Sequence, residues 1–175
     1  MKPKIIAVVG GKKVGKTTTT ENLIAELTKR GYKVAAIKHI SEPDWTIDTP
    51  GKDSYRFSQH GAKTVIVVGK DEIATIEKGP TEKIPISTIL KKAKGYDVVI
   101  TEGFKKTVAR KITIPKIAVV TDKQEAETAQ KNYKPILAFS GKYNPQNPKI
   151  PYINGLTEPQ KLADLAENEL LKKKD

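Results

Sequence analysis

One segment near the start of the chain restricts the possible folds more than any other feature. Residues 10–17 read Gly-Gly-Lys-Lys-Val-Gly-Lys-Thr, which matches the pattern G-x-x-x-x-G-K-[ST] without a gap. A continuous apolar run at residues 5–9 precedes it, as expected of a strand covered on both faces. Residues 17–30 follow with apolar side chains at helical spacing and stop before Gly31. This order predicts a phosphate-binding loop, and a simple glycine turn with an incidental lysine is the alternative.

The residue types in this loop fit the binding of a nucleoside triphosphate. Gly10 and Gly15 allow backbone angles that a β-carbon resists, so the loop N–H groups would surround the β-phosphate, helped by the helix dipole. Lys16 would reach the β- and γ-phosphate oxygens, the Thr17 hydroxyl would ligate Mg²⁺, and Thr18 would lie at the α-phosphate. The predicted nucleotide-binding residues of the loop are Gly11, Lys12, Lys13, Val14, Gly15, Lys16, Thr17 and Thr18. Of the two adjacent lysines at 12 and 13, one is expected to be merely solvated.

The apolar segments along the chain alternate between strand and helix patterns. A second strand at residues 34–38 completes a βαβ unit, which requires parallel strands. Further strands are predicted at residues 64–68 and 72–77, as a hairpin, and at 98–101, 117–120 and 136–139; further helices are predicted at 53–60, 86–93 and 158–173, the last with Thr157 as N-cap. The recurring order predicts a three-layer α/β fold, P-loop NTPase-like, with a mostly parallel sheet and a single domain over residues 1–175.

Composition limits the location and the chemistry. The chain has 175 residues and no cysteine, which excludes disulfides, thiolate zinc sites and a cysteine nucleophile. The five apolar residues at 5–9 are too few for a signal-peptide core or a membrane span, so we expect a cytoplasmic protein. The net charge of +12 suggests an anionic partner or a heat-adapted surface. Because the basic residues are scattered, apart from the run at 172–174, and lack interleaved aromatic residues, nucleic acid is not the expected partner.

A second candidate position lies at residues 97–103, where an apolar strand ends in Glu102 and Gly103. Ligands in open α/β sheets bind at the carboxyl ends of strands. A carboxylate there would hold Mg²⁺ through water or orient an attacking water, and Gly103 would let a backbone N–H approach the γ-phosphate. Together with Lys16, Glu102 is the predicted catalytic residue, and a surface glutamate at a strand end is the alternative. Asp97, at the start of the strand, is expected to face solvent.

A group that would read the base is not visible as a motif, because no Asn-Lys-x-Asp string is present. Asp122 follows the strand at 117–120, where many P-loop GTPases carry an acidic reader of the guanine edge. The same residue would equally well cap a helix that starts at Lys123, and the sequence leaves both roles open.

Several further strings resemble the molybdopterin-guanine dinucleotide biosynthesis protein B family. They occur in family order between residue 5 and about residue 122. They are Lys38-His39, Asp48, residues 50–55 (Pro-Gly-Lys-Asp-Ser-Tyr), Gly61-Ala62, residues 102–105 (Glu-Gly-Phe-Lys) and Lys111-Ile112, together with the phosphate loop. The combination of the Gly-Lys-Asp-Ser string at 51–54 with the Glu-Gly-Phe-Lys string is the specific part of the resemblance.

The resemblance implies a GTP-binding adapter of molybdenum cofactor biosynthesis, with Mg²⁺ as cofactor and a weak GTPase activity. It also implies a homodimer that serves a MobA-like guanylyltransferase, the enzyme that attaches GMP to a molybdopterin-related ligand. The family places Lys16 and Thr17 on phosphate and Mg²⁺, and Glu102 near the γ-phosphate. Asp48 and Asp53 would lie in a loop that faces the nucleotide, so the implied metal ligands are Thr17, Glu102, Asp48 and Asp53.

The chain departs from the family pattern in three places. Ile40-Ser41-Glu42 follow the Lys-His pair where members often carry further histidines, Arg110 stands where members often have proline, and the stretch between residues 112 and 117 is short. A histidine cluster is therefore not expected, and the dimer-forming or partner-facing loop is expected to be trimmed. Three residues keep structural alternatives: His39 as a hydrogen-bonded histidine, Asp53 as a helix N-cap, and Trp45 as loop packing rather than a platform for a ring.

A small P-loop kinase or ligase that transfers the γ-phosphate to a metabolite is the alternative function. Such an enzyme usually needs arginines in a lid to clamp the transferring phosphoryl group. The chain has only Arg30, Arg56 and Arg110, and Arg30 ends a predicted helix. The scarcity of arginine therefore favours the adapter.

Overall fold

The structure is a computed structural model that describes residues 2–171, so the lysine run at 172–174 lies outside the described residues. Two compact units make up the described chain. The first contains the residues up to His39 and those from Leu90 onward, and the second is Ile40–Ile89. The single domain that the sequence predicts for residues 1–175 stays a prediction. Within residues 2–171, no helix has the length and apolar character needed to cross a bilayer.

The described residues form seven strands and six α-helices. The strands are β1 (Lys4–Gly10), β2 (Val34–Lys38), β3 (Thr64–Val68), β4 (Ile73–Glu77), β5 (Val98–Glu102), β6 (Lys116–Val120) and β7 (Ile136–Gly141). The helices are α1 (Lys16–Lys29), α2 (Asp53–Gln59), α3 (Ile86–Lys91), α4 (Lys105–Val108), α5 (Lys123–Asn132) and α6 (Pro159–Ala166). A 3₁₀ turn at Thr81–Lys83 and a π-helical turn at Glu167–Leu171 are the other helical segments of the described chain.

The first unit contains a five-stranded parallel sheet in the order β2-β5-β1-β6-β7. Its central strands read as continuous apolar runs because neither face of a parallel sheet is left to water. One face is covered by α1 and α6, and α4 and α5 contact β1 and β6. The predicted α/β fold with a mostly parallel sheet is therefore confirmed.

The main core of the first unit lies between the sheet and α1. Leu23 and Leu27 stand four residues apart on one face of α1 and pack with Ile6 and Val8 of β1. Leu162 of α6 joins the same fully buried cluster. This packing fixes the direction of α1, and therefore the position of the loop between β1 and α1.

The C-terminal helix differs from its prediction. It begins at Pro159 with Glu158 at the N-cap position, so the prediction of Thr157 as N-cap is wrong. The α-helix ends at Ala166 and continues as the π-helical turn to Leu171, and the predicted end at Lys173 lies outside the described residues. Arg30, at the end of α1, donates to Glu167 of this turn over 2.9 Å, and this bond ties the two segments together.

The second unit is built around the antiparallel hairpin of β3 and β4. On one face of the hairpin, Ile66, Val68 and Ile73 are exposed by 62%, 71% and 69%. The described residues add no further strand to this two-stranded sheet. Val65 and Ile86 are the apolar side chains of the described second unit that are buried. The hairpin therefore leaves apolar area uncovered within its own unit.

A lysine occupies a fully buried position at the start of β6. Lys116 Nζ donates to the carbonyl oxygens of Lys111 at 2.8 Å and Lys134 at 2.6 Å. Burial lowers the pKa of Lys116 to about 8, because a charged ammonium is poorly solvated there. The sequence pattern places the strand one residue later and gives no sign of this buried amine.

Candidate functional site

The phosphate loop turns out of β1 beneath the carboxyl end of β6. A β-carbon on Gly10 would lie 2.3 Å from the carbonyl oxygen of Val119, so only glycine fits there. Lys13 and Gly15 adopt left-handed backbone angles, with φ of 57° and 96°, immediately before α1 begins at Lys16. Alternation of left- and right-handed residues turns successive N–H groups toward one side, which forms an anion-binding concavity.

Lys16 lies at the centre of this loop. Its Nζ donates to the carbonyl oxygen of Gly11, so the ammonium is held across the concavity. Burial, and next the nearby Lys105 ammonium, lower the pKa of Lys16. A cavity of about 280 Å³ opens beside Gly10 and Gly11, and one of about 240 Å³ opens at residues 13–18. The smaller cavity is lined by Lys13, Val14, Gly15, Lys16, Thr17 and Thr18.

Glu102 reaches this loop from the end of β5. Its Oε1 accepts a hydrogen bond from the Thr17 hydroxyl over 3.1 Å and lies 3.5 Å from Lys38 Nζ. Lys38 ends the neighbouring strand β2, in direct register with Glu102. The Glu102 side chain is only 12% exposed. The carboxylate therefore lies against the predicted Mg²⁺ ligand Thr17 rather than on an open surface.

The chain after Glu102 makes a tight turn against the end of β2. Gly103 has φ of 90°, and a β-carbon there would lie 3.1 Å from Cβ of His39. Its own N–H donates to the carbonyl oxygen of Val8 over 3.2 Å and is not free for a phosphate. Phe104 adopts a left-handed φ of 53° and its ring centroid lies 4.9 Å from that of His39. The sequence does not predict the short helix α4 that follows. This helix brings Lys105 toward the loop.

Asp122 occupies the N-cap position of α5. Its Oδ1 accepts the Glu125 N–H over 2.8 Å, which is the capping role that the sequence leaves open. Glu125 in turn accepts from the N–H and the hydroxyl of Thr121, at 2.8 and 2.9 Å. A β-carbon on Gly11 would lie 2.5 Å from Glu125 Oε1, so this carboxylate lies against the phosphate loop. The Asp-x-x-Glu spacing of a capping box is the signal that identifies Glu125.

The larger cavity extends from the phosphate loop along β6 and α5. It is lined by Gly10, Gly11, Lys105, Ala118, Val119, Val120, Asp122, Gln124, Glu125, Thr128, Ala129 and Tyr133. Its floor is apolar and its rim carries carboxylate, amide, hydroxyl and ammonium groups, as small-molecule sites commonly do. The predicted base reader Asp122 and the phosphate loop therefore border one space.

Two further predicted ligands, Asp48 and Asp53, belong to the second unit. Asp48 Oδ1 accepts from the Ser54 hydroxyl over 2.9 Å, whereas its Oδ2 is buried without a partner among the described residues. Asp53 is the first residue of α2, and Lys52 holds the N-cap position, so Asp53 is not the N-cap. Its exposed carboxylate lies 3.4 Å from Arg56. Their predicted place at the metal stays a prediction.

The residues that could hold a metal do not form a site in which protein side chains supply every ligand. Within residues 2–171, no group of three or more His, Cys, Asp or Glu side chains is placed to hold a metal ion. Mg²⁺ bound with nucleotide needs no such group, because it takes one or two carboxylates or hydroxyls together with phosphate oxygens and waters. The oxygen atoms of Thr17 and Glu102 fit that requirement.

Three features define a P-loop protein. They are the parallel sheet, the glycine-rich loop at the end of its central strand, and the lysine and threonine that start the following helix. Comparison with known proteins identifies the particular family. The family model described as "Molybdopterin guanine dinucleotide synthesis protein B" matches residues 5–140. The chain belongs to this family, as the strings at residues 50–55 and 102–105 lead us to expect.

Similar proteins come from archaea and bacteria. A protein of Methanocaldococcus jannaschii is 35% identical over 126 residues, which is 71% of this chain and 50% of that protein. The molybdopterin-guanine dinucleotide biosynthesis adapter protein of Escherichia coli is 31% identical over 113 residues, 63% of this chain and 64% of that protein. The matched region thus spans between half and two thirds of these relatives.

Solved structures agree on the fold. The structure of Bacillus subtilis MobB superposes with a TM-score of 0.75 at 22% identity, covering 98% of this chain and 99% of that one. A structure of molybdopterin-guanine biosynthesis protein B has a TM-score of 0.71 at 23% identity, covering 94% of this chain and 97% of the other. These neighbours have the P-loop NTPase-like fold.

Proposed function

We propose that this chain is a GTP-binding adapter of molybdopterin-guanine dinucleotide biosynthesis, and that it binds GTP with Mg²⁺ and hydrolyses it slowly. The observation that carries the proposal is the 3.1 Å contact between Thr17 and Glu102 at the phosphate loop. It joins a hydroxyl and a carboxylate, the oxygen ligands that Mg²⁺ takes beside a triphosphate. The adapter role follows the family and the name of the Escherichia coli relative.

Each part of the loop has a role in holding the nucleotide. The loop N–H groups and the N-terminus of α1 bind the β-phosphate, and Lys16 exchanges the Gly11 carbonyl for phosphate oxygens. Thr17 and Glu102 would hold Mg²⁺, which neutralises charge on the phosphate oxygens when bound. Glu102 also orients water toward the terminal phosphate.

The arginines are the basis for proposing slow turnover and no kinase-type lid. Arg30 binds Glu167, Arg56 lies beside Asp53, and Arg110 donates to the carbonyl oxygen of Lys131. Each arginine therefore has a local partner in its own part of the fold. Strong stabilisation of a transferring phosphoryl group usually requires an arginine or an equivalent cation at that group. An adapter that keeps GTP bound fits this arrangement better than a kinase or ligase.

Guanine recognition is assigned to Asp122. A carboxylate accepts two hydrogen bonds from the N1–H and N2–H₂ edge of guanine, and adenine offers no such pair. The cap uses one lone pair of Oδ1, so the carboxylate keeps capacity for the base. Asp122 also borders the cavity of about 280 Å³ that begins at Gly10 and Gly11, which provides space for a base next to the phosphates.

The partners follow from the same family role. We infer that the chain acts with a MobA-like guanylyltransferase and a molybdopterin-related ligand, and that it forms a homodimer. The exposed apolar face of the β3–β4 hairpin supports the homodimer, because an isolated two-stranded hairpin is marginally stable in water. Two unpaired edges in the described chain also make the hairpin suitable for pairing with another strand.

The site is tested by nucleotide competition with two lysine variants. Lys16→Ala should weaken GTP binding at least about tenfold, because each charge-assisted contact is worth roughly 1.5–3 kcal/mol. Lys29→Ala, at the far end of α1, removes the same charge and should leave binding unchanged. Equal triphosphate affinity in the Lys16 variant and the parent contradicts the site. If ATP displaces GTP from the parent, the guanine assignment fails. The kinase or ligase hypothesis is then favoured over the adapter hypothesis.

The adapter role is tested by capture of the guanylyltransferase. The parent protein should retain the purified enzyme on a column in the presence of GTP and Mg²⁺. The Lys16→Ala variant should retain less under the same conditions, because its nucleotide is lost. Failure of the parent to retain the enzyme with or without GTP overturns the adapter proposal but leaves the nucleotide site intact.

A further inference from the structure

Three ammonium groups lie near the end of β5, where Glu102 reaches the phosphate loop. Lys38 Nζ lies 3.5 Å from Oε1, the same oxygen that accepts the Thr17 hydroxyl. The Lys38 side chain is 53% exposed, whereas that of Glu102 is 12% exposed. Lys16 and Lys105 are the other two ammonium groups, and both lie near enough to affect one another.

The charged side chains at the loop do not cancel one another. Lys16, Lys38 and Lys105 carry positive charge, and Glu102, 3.5 Å from Lys38 Nζ, carries one negative charge. Glu125 adds a second carboxylate, but its hydrogen bonds are directed to Thr121. Three ammonium groups and two carboxylates leave one net positive charge at the loop, which favours the binding of an anion.

We propose that Lys38 is a ligand of the terminal phosphate and makes the site prefer a nucleoside triphosphate to a diphosphate. This inference rests on the proposed function, because it needs a nucleotide in the loop. The Glu102 carboxylate, which accepts the Thr17 hydroxyl, also pairs with Lys38 and keeps the ammonium beside the proposed metal ligands. With Mg²⁺ and nucleotide bound, Thr17 and Glu102 would hold the metal, and Lys38 would bind the γ-phosphate in place of the carboxylate.

The position of Lys38 fits the terminal phosphate rather than the α- or β-phosphate. The loop N–H groups and Lys16 would take the β-phosphate, and Thr18, in the first turn of α1, would lie at the α-phosphate. The third phosphate would then extend toward Thr17 and Glu102, and Lys38 lies beside that pair. A lysine binds phosphate as a compact point charge and needs no fixed geometry, which suits its exposed position.

A plain surface ion pair is the competing explanation. Exposed lysine–carboxylate pairs contribute little to stability and are screened by salt. Such a pair would leave nucleotide preference unchanged when the lysine is removed. The two explanations therefore differ in the ratio of GTP affinity to GDP affinity.

The test measures GTP and GDP dissociation constants with Mg²⁺ by calorimetry for the parent and three variants. Lys38→Met should weaken GTP binding about tenfold to hundredfold, the loss expected for one charge-assisted contact, and should leave GDP binding nearly unchanged. Lys38→Arg should restore most of the preference, because it keeps the charge. Lys33→Met is the matched control, since Lys33 is exposed just before β2 at the opposite end of the strand.

The outcomes separate this inference from the nucleotide site itself. An unchanged GTP-to-GDP ratio in Lys38→Met, with the Lys16→Ala effect intact, overturns the role of Lys38 alone. An equal loss of GTP and GDP affinity also overturns it, because it shows a general field rather than a terminal-phosphate contact. If the parent binds neither nucleotide, both proposals fail. The melting temperature without nucleotide should be the same in all four proteins, which excludes misfolding as the cause.

Discussion

The Glu102 carboxylate accepts the Thr17 hydroxyl and faces the Lys38 ammonium, so its charge acts on whatever enters the phosphate loop. Glu102→Gln keeps the size of the side chain and removes that charge. GTP should still bind, whereas the Mg²⁺ dependence of binding and the rate of turnover should fall. GTP affinity measured with Mg²⁺ and with EDTA gives the metal dependence, and phosphate release gives the turnover.

Glu127→Gln is the control for this variant, because Glu127 is exposed on α5 and lies 3.9 Å from Lys123. It should behave as the parent does in both assays. Parental metal dependence and turnover in Glu102→Gln would reduce Glu102 to a structural partner of Thr17.

Single residues were predictable where a local pattern defines them. Lys16 and Thr17 follow from the loop motif, and Glu102 follows from its place at the end of an apolar strand. The pairing of Lys38 with Glu102 could not be predicted, because it depends on the register between β2 and β5. The position of Glu125 against Gly11 depends likewise on how α5 lies beside the loop.

At the scale of elements, β6 contains a titratable group that should affect stability. The pKa of Lys116 is lowered to about 8 from 10.5, so the unfolded chain binds more protons than the folded chain between these pH values. The free energy of unfolding should therefore rise as the pH increases from 8 toward 10.5, by at most on the order of 3 kcal/mol.

The contribution of Lys116 is isolated by difference. Urea unfolding of the parent and of Lys116→Met at several pH values should show that the rise between pH 8 and 10.5 is lost in the variant. Subtraction removes the opposing effect of Tyr32, Tyr133 and Tyr152, whose pKa values are raised by burial. Lys4→Met, at the exposed start of β1, should keep the parental slope. An identical slope in parent and Lys116→Met contradicts the lowered pKa.

The start of α5 allows capping and base recognition to be separated. Asp122→Ala should cost about 0.5–2 kcal/mol of stability, because the Glu125 N–H loses its acceptor. Asp122→Asn should keep the cap, since asparagine is an equally good N-cap, but it loses the carboxylate that would accept from guanine. Urea unfolding measures the first effect, and competition of GTP against ATP measures the second.

Preference for GTP should therefore fall in both Asp122 variants, whereas stability should fall in only one. If GTP wins by the parental ratio in Asp122→Asn, another group reads the base. Backbone groups at residues 139–142, at the end of the neighbouring strand β7, are then the candidates, because strand-end loops surround the same crevice.

Elements were predictable where burial imposes a pattern. The bounds of β2 and β3 agree with the sequence prediction. Strands β5 and β6 differ from it by one residue at one end, and β1 differs by one residue at both ends. The four-residue helix α4 is too short to show a helical period, so its sequence gives no signal. The C-terminal helix was predicted with the wrong cap, because Thr157 lies in a turn that precedes Pro159.

For the whole molecule, the main expectation concerns self-association through the hairpin. Ile66→Lys places a charge in the exposed apolar face of β3 and should shift the protein from dimer to monomer. Asp71→Asn, in the turn between β3 and β4, changes the net charge by the same amount and should leave the dimer intact. Light scattering coupled to gel filtration gives the mass of each protein. A monomeric parent, or a dimeric Ile66 variant, contradicts association through this face.

The register of β2 on β5 aligns Val34 with Val98 and Lys38 with Glu102. Successive side chains of a strand point to opposite faces of the sheet. The contact between Lys38 and Glu102 therefore depends on whether the number of β2 residues before Lys38 is odd or even. Lengthening β2 by one residue would turn the ammonium to the other face of the sheet, whereas two residues would return it to the same face. Among natural relatives, a difference of one residue in the length of this segment should therefore change nucleotide preference. A difference of two residues should leave that preference intact.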